Sequence, residues 1–353
     1  MKSNLIILNG DSRQRGLAQS NARPELNQQV QDAVKLRLED AKDSITSSEA
    51  KNFIDAQWKF TEKHANDHLE ELHGLAEGYG ISPHDLFTYL HVSAIDAASK
   101  NNDGCTIIAV SNSDSGPILA KNRDFGTSHL KIQQVVLHRD PKYTDNECLF
   151  VTSLGSPGAY SSGMNKYGLA VADTHVGYSK PNVGWLRYFL MSEILWKAKT
   201  VDDAIEILSS VQHIGGGTLG LADKTGNIAT IELGQSELAI KRADTGYLSH
   251  TNHYIDPNLI PFQSAETEQG YFESSSGRMN KVHKVLSASE QPFIANNIIN
   301  LMASHGENSE SICCHGAVGE GHTISSAIYF CADQKLQFCT GNPCSNKWEI
   351  YKF

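Results

Sequence analysis

The sequence predicts an α+β protein whose strands are covered on both faces, and three observations carry that prediction. Residues 24–98 are helical and charge-rich, the chain after residue 104 turns to short apolar runs without clean alternation, and helical segments recur among and after those runs. Strands that read as continuous apolar runs are buried on both faces. Helices before, within and after such strands imply layered packing, with two sheets between helix layers. The chain has 353 residues, 40% of them hydrophobic and 20% charged, which supplies a sizeable core and argues against wholesale disorder.

Taken in order, Val30, Val34, Leu36 and Leu38 belong to one long helix opened by Pro24 in its first turn. Leu69, Leu72, Leu75 and Ala76 continue the helical spacing until Gly78-Tyr79-Gly80 stops it. Ser82 then caps a helix that begins at Pro83 and runs through Leu86, Leu90 and Ile95. A polar loop covers residues 99–104. Strands follow at Cys-Thr-Ile-Ile-Ala-Val from residue 105, at Ile118 onward, at 135–137 and at 149–151. Helices return at 185–197 and 201–211, the second with Thr200 as N-cap and Asp202 and Asp203 in its first turn. A strand pair flanks the turn Asp223-Lys224-Thr225-Gly226. Gly215-Gly216-Gly217, with no Gly-Lys-Ser/Thr after it, is a bend before a strand at 219–222 rather than a phosphate loop. Two further helices follow Ser276 and Pro292, and strands at 324–331, 336–339 and 348–353 end the chain.

Several classes of function are disfavoured by composition. A formal net charge of −10 with no Lys/Arg-rich block is unlike a nucleic-acid binder. The first ten residues carry too short an apolar run for an export signal, and no later run reaches membrane-spanning length. Seven cysteines, an odd number without such a signal, point to a reducing, cytoplasmic setting and mostly free thiols. No cofactor is expected, and a homo-oligomer stays open.

One cysteine stands at the head of a hairpin. The turn is signalled by Asn112-Ser113-Asp114-Ser115-Gly116-Pro117. A four-residue loop, 113–116, sets Cys105 directly opposite Asp124 and on the same face; a slip of one residue would turn Asp124 to the other face. The chemistry such a pair offers is specific. A thiol at pH 7 is mostly protonated and its thiolate is the nucleophile. A cut after Gly104 would give Cys105 a free α-amine, with a pKa of roughly 7.7–8, able to act as base for its own thiol. A carboxylate would orient that amine, and Lys121 and Arg123 would favour thiolate. Read by itself, the hairpin is equally an ordinary one with a buried cysteine.

Gly104-Cys105-Thr106 followed by Lys121-Asn122-Arg123-Asp124 resembles the opening of the acyl-CoA:6-aminopenicillanate (isopenicillin N) acyltransferase family, with bile salt hydrolase and penicillin V acylase as more distant relatives. The resemblance extends in order along the chain: Gly10-Asp11-Ser12 leading to Gly16, His73-Gly74-Leu75-Ala76-Glu77-Gly78, Gly163-Met164-Asn165-Lys166-Tyr167-Gly168, His250-Thr251-Asn252-His253, Ser276 with Arg278, and Gly341-Asn342-Pro343-Cys344. It implies a four-layer αββα sandwich of the N-terminal-nucleophile hydrolase type. Residues 1–104 would form a mostly helical small subunit, released by self-cleavage yet still docked on a catalytic region of residues 105–353. Cys105 would be nucleophile for both processing and turnover, Asp124 would hold the new amine, and Asn252 would donate its amide to the oxyanion, worth roughly 3 kcal/mol in other acyl-transfer enzymes. Lys121 stands where bile salt hydrolases place an arginine and the acyltransferases a neutral residue, so the resemblance assigns it no single role. The implied substrate is a small N-acyl amide.

Two other chemistries and a non-enzyme compete with this reading. Cys105 could pair with His175, His250 or His253 as a thiol hydrolase, although His250 and His253 serve equally as scaffolding for Asn252. An unprocessed relative would bind an acyl compound without catalysis. Cys313-Cys314-His315 with His322 invites a zinc reading, but adjacent cysteines point apart, so no metal is expected; His305, Glu307 and Glu310 read as solvated loop residues.

Overall fold

The computed structural model describes residues 4–96, 104–235, 237–264, 269–307, 309–316 and 321–353. Apart from Gly104, the polar loop expected at 99–104 lies outside the described residues. The N-terminal part contains β1 (Ile6–Asn9), α1 (Ser12–Ala22), α2 (Asn27–Asp40), α3 (Lys42–Ile45), α4 (Ser48–His64), α5 (Asn66–Tyr79) and α6 (Pro83–Ile95). The middle adds β2 (Cys105–Val110), β3 (Ile118–Phe125), β4 (Gln133–Arg139), β5 (Cys148–Ser153), β6 (Ser162–Asn165), β7 (Ala170–Thr174), α7 (Arg187–Lys197), α8 (Val201–Ser209), β8 (Thr218–Ala222), β9 (Ile228–Leu233), β10 (Leu238–Ala243) and β11 (Tyr247–His250). The chain closes with α9 (Gln269–Ser287), α10 (Ala295–Met302), β12 (His322–Phe330), β13 (Lys335–Thr340) and β14 (Trp348–Lys352).

Two sheets form, in the orders β1-β4-β5-β6-β7-β8-β9-β10 and β11-β2-β3-β12-β13-β14. Alternation along each strand feeds neighbouring residues to different layers. Ile107 and Leu119 of the smaller sheet meet Val135, Leu149 and Met164 of the larger one between the sheets. Their neighbours Ile108 and Ile118 pack outward on Val282 of α9 and Ile298 of α10. On the outer face of the larger sheet, Val136, Phe150 and Val171 pack with Leu72 and Leu75 of α5 and Phe189 and Leu190 of α7. The order of layers is therefore helix, sheet, sheet, helix, as expected.

The local signals explain most boundaries. Gly80, at φ +64°, ends α5 in the left-handed conformation that glycine tolerates. Ser82 accepts from the Asp85 N–H at the head of α6, and Thr200 and Asp203 form a reciprocal capping box on α8. Gly16 and Gly74 lie where α1 and α5 cross; a Cβ on either would run into the other helix's backbone. Two expectations are corrected. Pro24 opens only a 3-10 turn, and the α-helix starts at Asn27. Helix α9 begins before Ser276, at Gln269, so Ser276 lies inside it. The N-terminal part also contributes a strand: β1 runs parallel to β4 and edges the larger sheet, where one short run of four residues carries too little pattern to be seen.

Candidate active site

Cys105 begins β2, but the pairing is shifted by one from the expected register. Cys105 lies opposite Arg123, and Val110 opposite Ile118. The turn itself is as expected, with Ser113 and Gly116 exchanging two backbone hydrogen bonds of 3.0 Å. Between turn and ladder, Ser111 and Asn112 face the single residue Pro117, which has no N–H to give a ladder. The Ser111 N–H goes to the Gly246 carbonyl, and the Asn112 carbonyl accepts from Phe293 N–H. This bulge slips the register, so the side chains of Cys105 and Asp124 leave opposite faces of the sheet. Cys105 shares its face with Lys121 and Arg123, towards the larger sheet, and is 6% exposed.

Asp124 nevertheless reaches the bond before Cys105. Its backbone N–H donates to the Gly104 carbonyl at 2.5 Å. Its carboxyl is buried, with Oδ1 accepting from Thr323 Oγ1 at 2.5 Å and Oδ2 without a hydrogen bond. That bare oxygen lies against Gly104, close enough that a Cβ there would sit 2.5 Å from it. Burial pushes the Asp124 carboxyl above its ordinary value, opposed by the Arg278 guanidinium, Thr323 and the nearby Cys314 and His322.

On the other side of Cys105 stands Asn252. Strand β11 pairs with β2 with His250 opposite Ile107, and two residues further on Asn252 comes abreast of Cys105. Its Oδ1 replaces a ladder carbonyl, accepting from Cys105 N–H at 2.7 Å and from Arg278 Nη2 at 2.9 Å. Arg278, projecting from α9, also donates through Nη1 to the Cys105 carbonyl at 2.5 Å and to Thr106 Oγ1 at 3.1 Å. The Asn252 Nδ2, expected to face an oxyanion, gives one hydrogen to the His175 carbonyl at 2.9 Å. Asp124 and Asn252 thus hold the two sides of the Gly104–Cys105 bond, and Arg278 holds Asn252 and the next carbonyl along, that of Cys105.

The remaining candidates separate into supports. Lys121 is buried and donates to both the carboxylate and the backbone carbonyl of Asp173 at 2.5 Å; Arg187 binds the other carboxylate oxygen at 2.8 Å. The two cations hold the Asp173 carboxyl below the usual range despite its burial. Arg123 donates to Gln133 and Ser153 and lies over the rings of Phe125 and Tyr160. Asn122 ties β3 to the Met302 and Ile312 carbonyls. Asn165 is drawn away to Leu195 and Ala198, bracing the turn between β6 and β7. Ser276 bonds to its own helix, whereas Ser275 accepts from Asn252 N–H at 2.7 Å and contacts His253. His250 bridges Glu232 at 2.7 Å and the Thr251 carbonyl at 2.9 Å, a scaffolding place. Burial and the Arg187 charge lower His175 to about 3, and burial lowers His253 to about 4, so both stay neutral near pH 7.

Near His175, whose carbonyl Asn252 holds, lies a narrow crevice of about 20 Å³ lined by His175, Tyr178, Trp185, Leu186 and Arg187. Tyr160 packs against Tyr188 and Tyr89.

A family model, acyl-coenzyme A:6-aminopenicillanic acid acyl-transferase, matches residues 111–345, about two thirds of the chain. The chain belongs to this acyltransferase family. No curated protein matches it significantly. Among solved structures, a variant of conjugated bile acid hydrolase from Clostridium perfringens is 14% identical, with a TM-score of 0.43 over 70% of this chain and 97% of that one. Penicillin V acylase from Agrobacterium tumefaciens is 11% identical, with a TM-score of 0.40 over 70% of this chain and 84% of its own. In this acyltransferase-family chain, no helix among the described residues is long and apolar enough to cross a membrane.

Proposed function

We propose that the chain is an amide hydrolase or acyltransferase that makes its own nucleophile by cutting between Gly104 and Cys105. The observation that carries this reading is the bracketing of that bond: the Gly104 carbonyl accepts from Asp124 N–H, and the Cys105 N–H is held by Asn252. In the cut, the Cys105 thiol adds to the Gly104 carbonyl carbon, and the Asp124 N–H is already aimed at the oxygen that becomes negative. The thiol proton passes to the departing nitrogen of Cys105, the C–N bond breaks, and a thioester remains. Water opens it, giving a Gly104 carboxylate and a free Cys105 thiol and amine.

The bare Asp124 Oδ2 and the Asn252 Oδ1 are acceptors for the ammonium so formed. In turnover the neutral amine takes the thiol proton, the thiolate attacks a substrate amide, and the proton goes to the leaving amine. The second hydrogen of Asn252 Nδ2 serves the oxyanion. Water or an amine resolves the acyl-enzyme.

Mass spectrometry after incubation with a panel of N-acyl amides tests this reading. An acyl increment on Cys105 is expected with at least one of them. A processed protein that hydrolyses an amide while Cys105→Ala, supplied as two pre-cut chains, does so equally well would overturn it.

A further inference from the structure

On the face of the smaller sheet away from the crevice, four ligating side chains from two separate segments meet. His305, Cys313 and His315 lie in the segment after α10, and Cys344 in the turn after β13. Their ligating atoms all fall within 4.8 Å of one another. The His315 Nε2 stands 3.1 Å from Cys344 Sγ and 3.6 Å from Cys313 Sγ.

We propose that Cys313, Cys344, His305 and His315 form a four-coordinate zinc site. Zn–S bonds near 2.3 Å and Zn–N bonds near 2.0–2.1 Å in a tetrahedron require ligand–ligand edges of about 3.3–3.8 Å. The 3.6 Å sulfur–nitrogen distance already matches, the 3.1 Å one needs to open by a few tenths of an ångström, and the other edges need to close by about 1.5 Å at most. Two sulfurs with two imidazoles select zinc over hard cations such as magnesium and calcium. Binding releases the two thiol protons to solvent and leaves a neutral centre of two thiolates and one dication.

The surroundings supply what such a centre needs. Asn342 Nδ2 lies 3.6 Å from Cys313 Sγ and donates to the Cys314 carbonyl at 2.7 Å, fixing the cysteine-bearing segment from the outside. The Cys313 N–H donates to the Ser304 carbonyl, which folds the segment back so that His305 faces His315, their ring centres 5.0 Å apart. Adjacent cysteines do diverge: Cys314 turns away from the quartet towards Asp124, and the partner sulfur comes from residue 344. The Cys314 N–H donates to Thr323 Oγ1 at 2.8 Å, and the same hydroxyl donates to Asp124 Oδ1. Zinc would therefore pin the segment on which the Asp124 carboxyl leans.

Cobalt(II) titration of the reduced, chelator-treated protein reads the site independently of cutting and turnover. The expected result is one cobalt per chain, with the visible absorption of a tetrahedral thiolate centre, lost on adding equimolar zinc. Cys344→Ser, at an exposed position, and His315→Ala should each weaken uptake by about tenfold or more, while Cys105→Ala keeps it. Failure of the reduced wild-type protein to take up stoichiometric cobalt would overturn the proposal. So would uptake unchanged in Cys344→Ser, or a Cys313–Cys344 disulfide in a protein that, once reduced, still binds no metal.

Discussion

Replacing Asn252 by alanine removes three hydrogen bonds from a fully buried position. The Cys105 N–H, the His175 carbonyl and the Arg278 guanidinium each lose their partner at 2.7–2.9 Å. A buried polar group left unpaired costs about 1–3 kcal/mol. Arg278 keeps the Cys105 carbonyl and Thr106, which places its share at the low end. The sum is about 4 kcal/mol, a large fraction of the 5–15 kcal/mol typical of a native protein. Stability is best read by urea denaturation with Cys105→Ala in every variant, so that all chains stay uncut. Cutting is read separately, with Cys105 present, by the time course of fragment formation on denaturing gels. Asn252→Ala should cut at least about 100-fold more slowly, corresponding to about 3 kcal/mol. Asn252→Asp keeps the acceptor for Cys105 and Arg278 but opposes an oxygen to the His175 carbonyl, so it should cut faster than the alanine variant and still turn over poorly. Wild-type cutting by Asn252→Ala, with stability within about 1 kcal/mol of the parent, would refute the role given to Asn252.

Three further outcomes are expected. Gly104→Ala puts a methyl group 2.5 Å from Asp124 Oδ2 and should slow cutting; pairing it with Asp124→Gly should relieve the clash without restoring activity, both read on gels. Asp124 has a native pKa raised by burial, so in the uncut protein its contribution to stability is complete below the ordinary value of 3.8 and is lost as pH rises through the raised value. Asp124→Asn in the Cys105→Ala background should therefore gain on its parent in thermal midpoint as pH rises above that ordinary value, and a parent that gains instead would contradict this. Asp173→Ala leaves the buried Lys121 without its carboxylate and should cost about 3–5 kcal/mol in urea denaturation, whereas Lys121→Met leaves Asp173 still paired with Arg187 and should cost less.

Much of this arrangement was legible in the sequence where one element decides its own structure. The apolar spacing of Leu69, Leu72 and Leu75, the Ser82-Pro83 start and the Thr200 cap are local and hold. The hairpin turn is local too, but its register is not. Gly246 takes the Ser111 N–H and Phe293 donates to the Asn112 carbonyl, both from more than a hundred residues away, and no pattern around Pro117 announces them. Ser275 was missed for its neighbour Ser276 because one residue turns a helical side chain by about 100°. Thr323 is one small polar residue in a buried strand and gives no signal. Asp173 does give one, an acid in the run Ala-Val-Ala-Asp-Thr that only a buried cation such as Lys121 could balance. The metal-ligating quartet escaped because Cys344 stands far along the chain from Cys313, brought close only by the turn after β13.

The central claim is that Cys105 becomes an N-terminal residue by the protein's own chemistry. Intact-mass measurement of the purified wild-type protein and of Cys105→Ala, expressed and handled identically, tests it most directly. The wild type should give two chains divided after Gly104, the larger starting at Cys105, while Cys105→Ala stays whole. A wild-type chain that remains uncut, or a Cys105→Ala chain cut at the same bond, would contradict it.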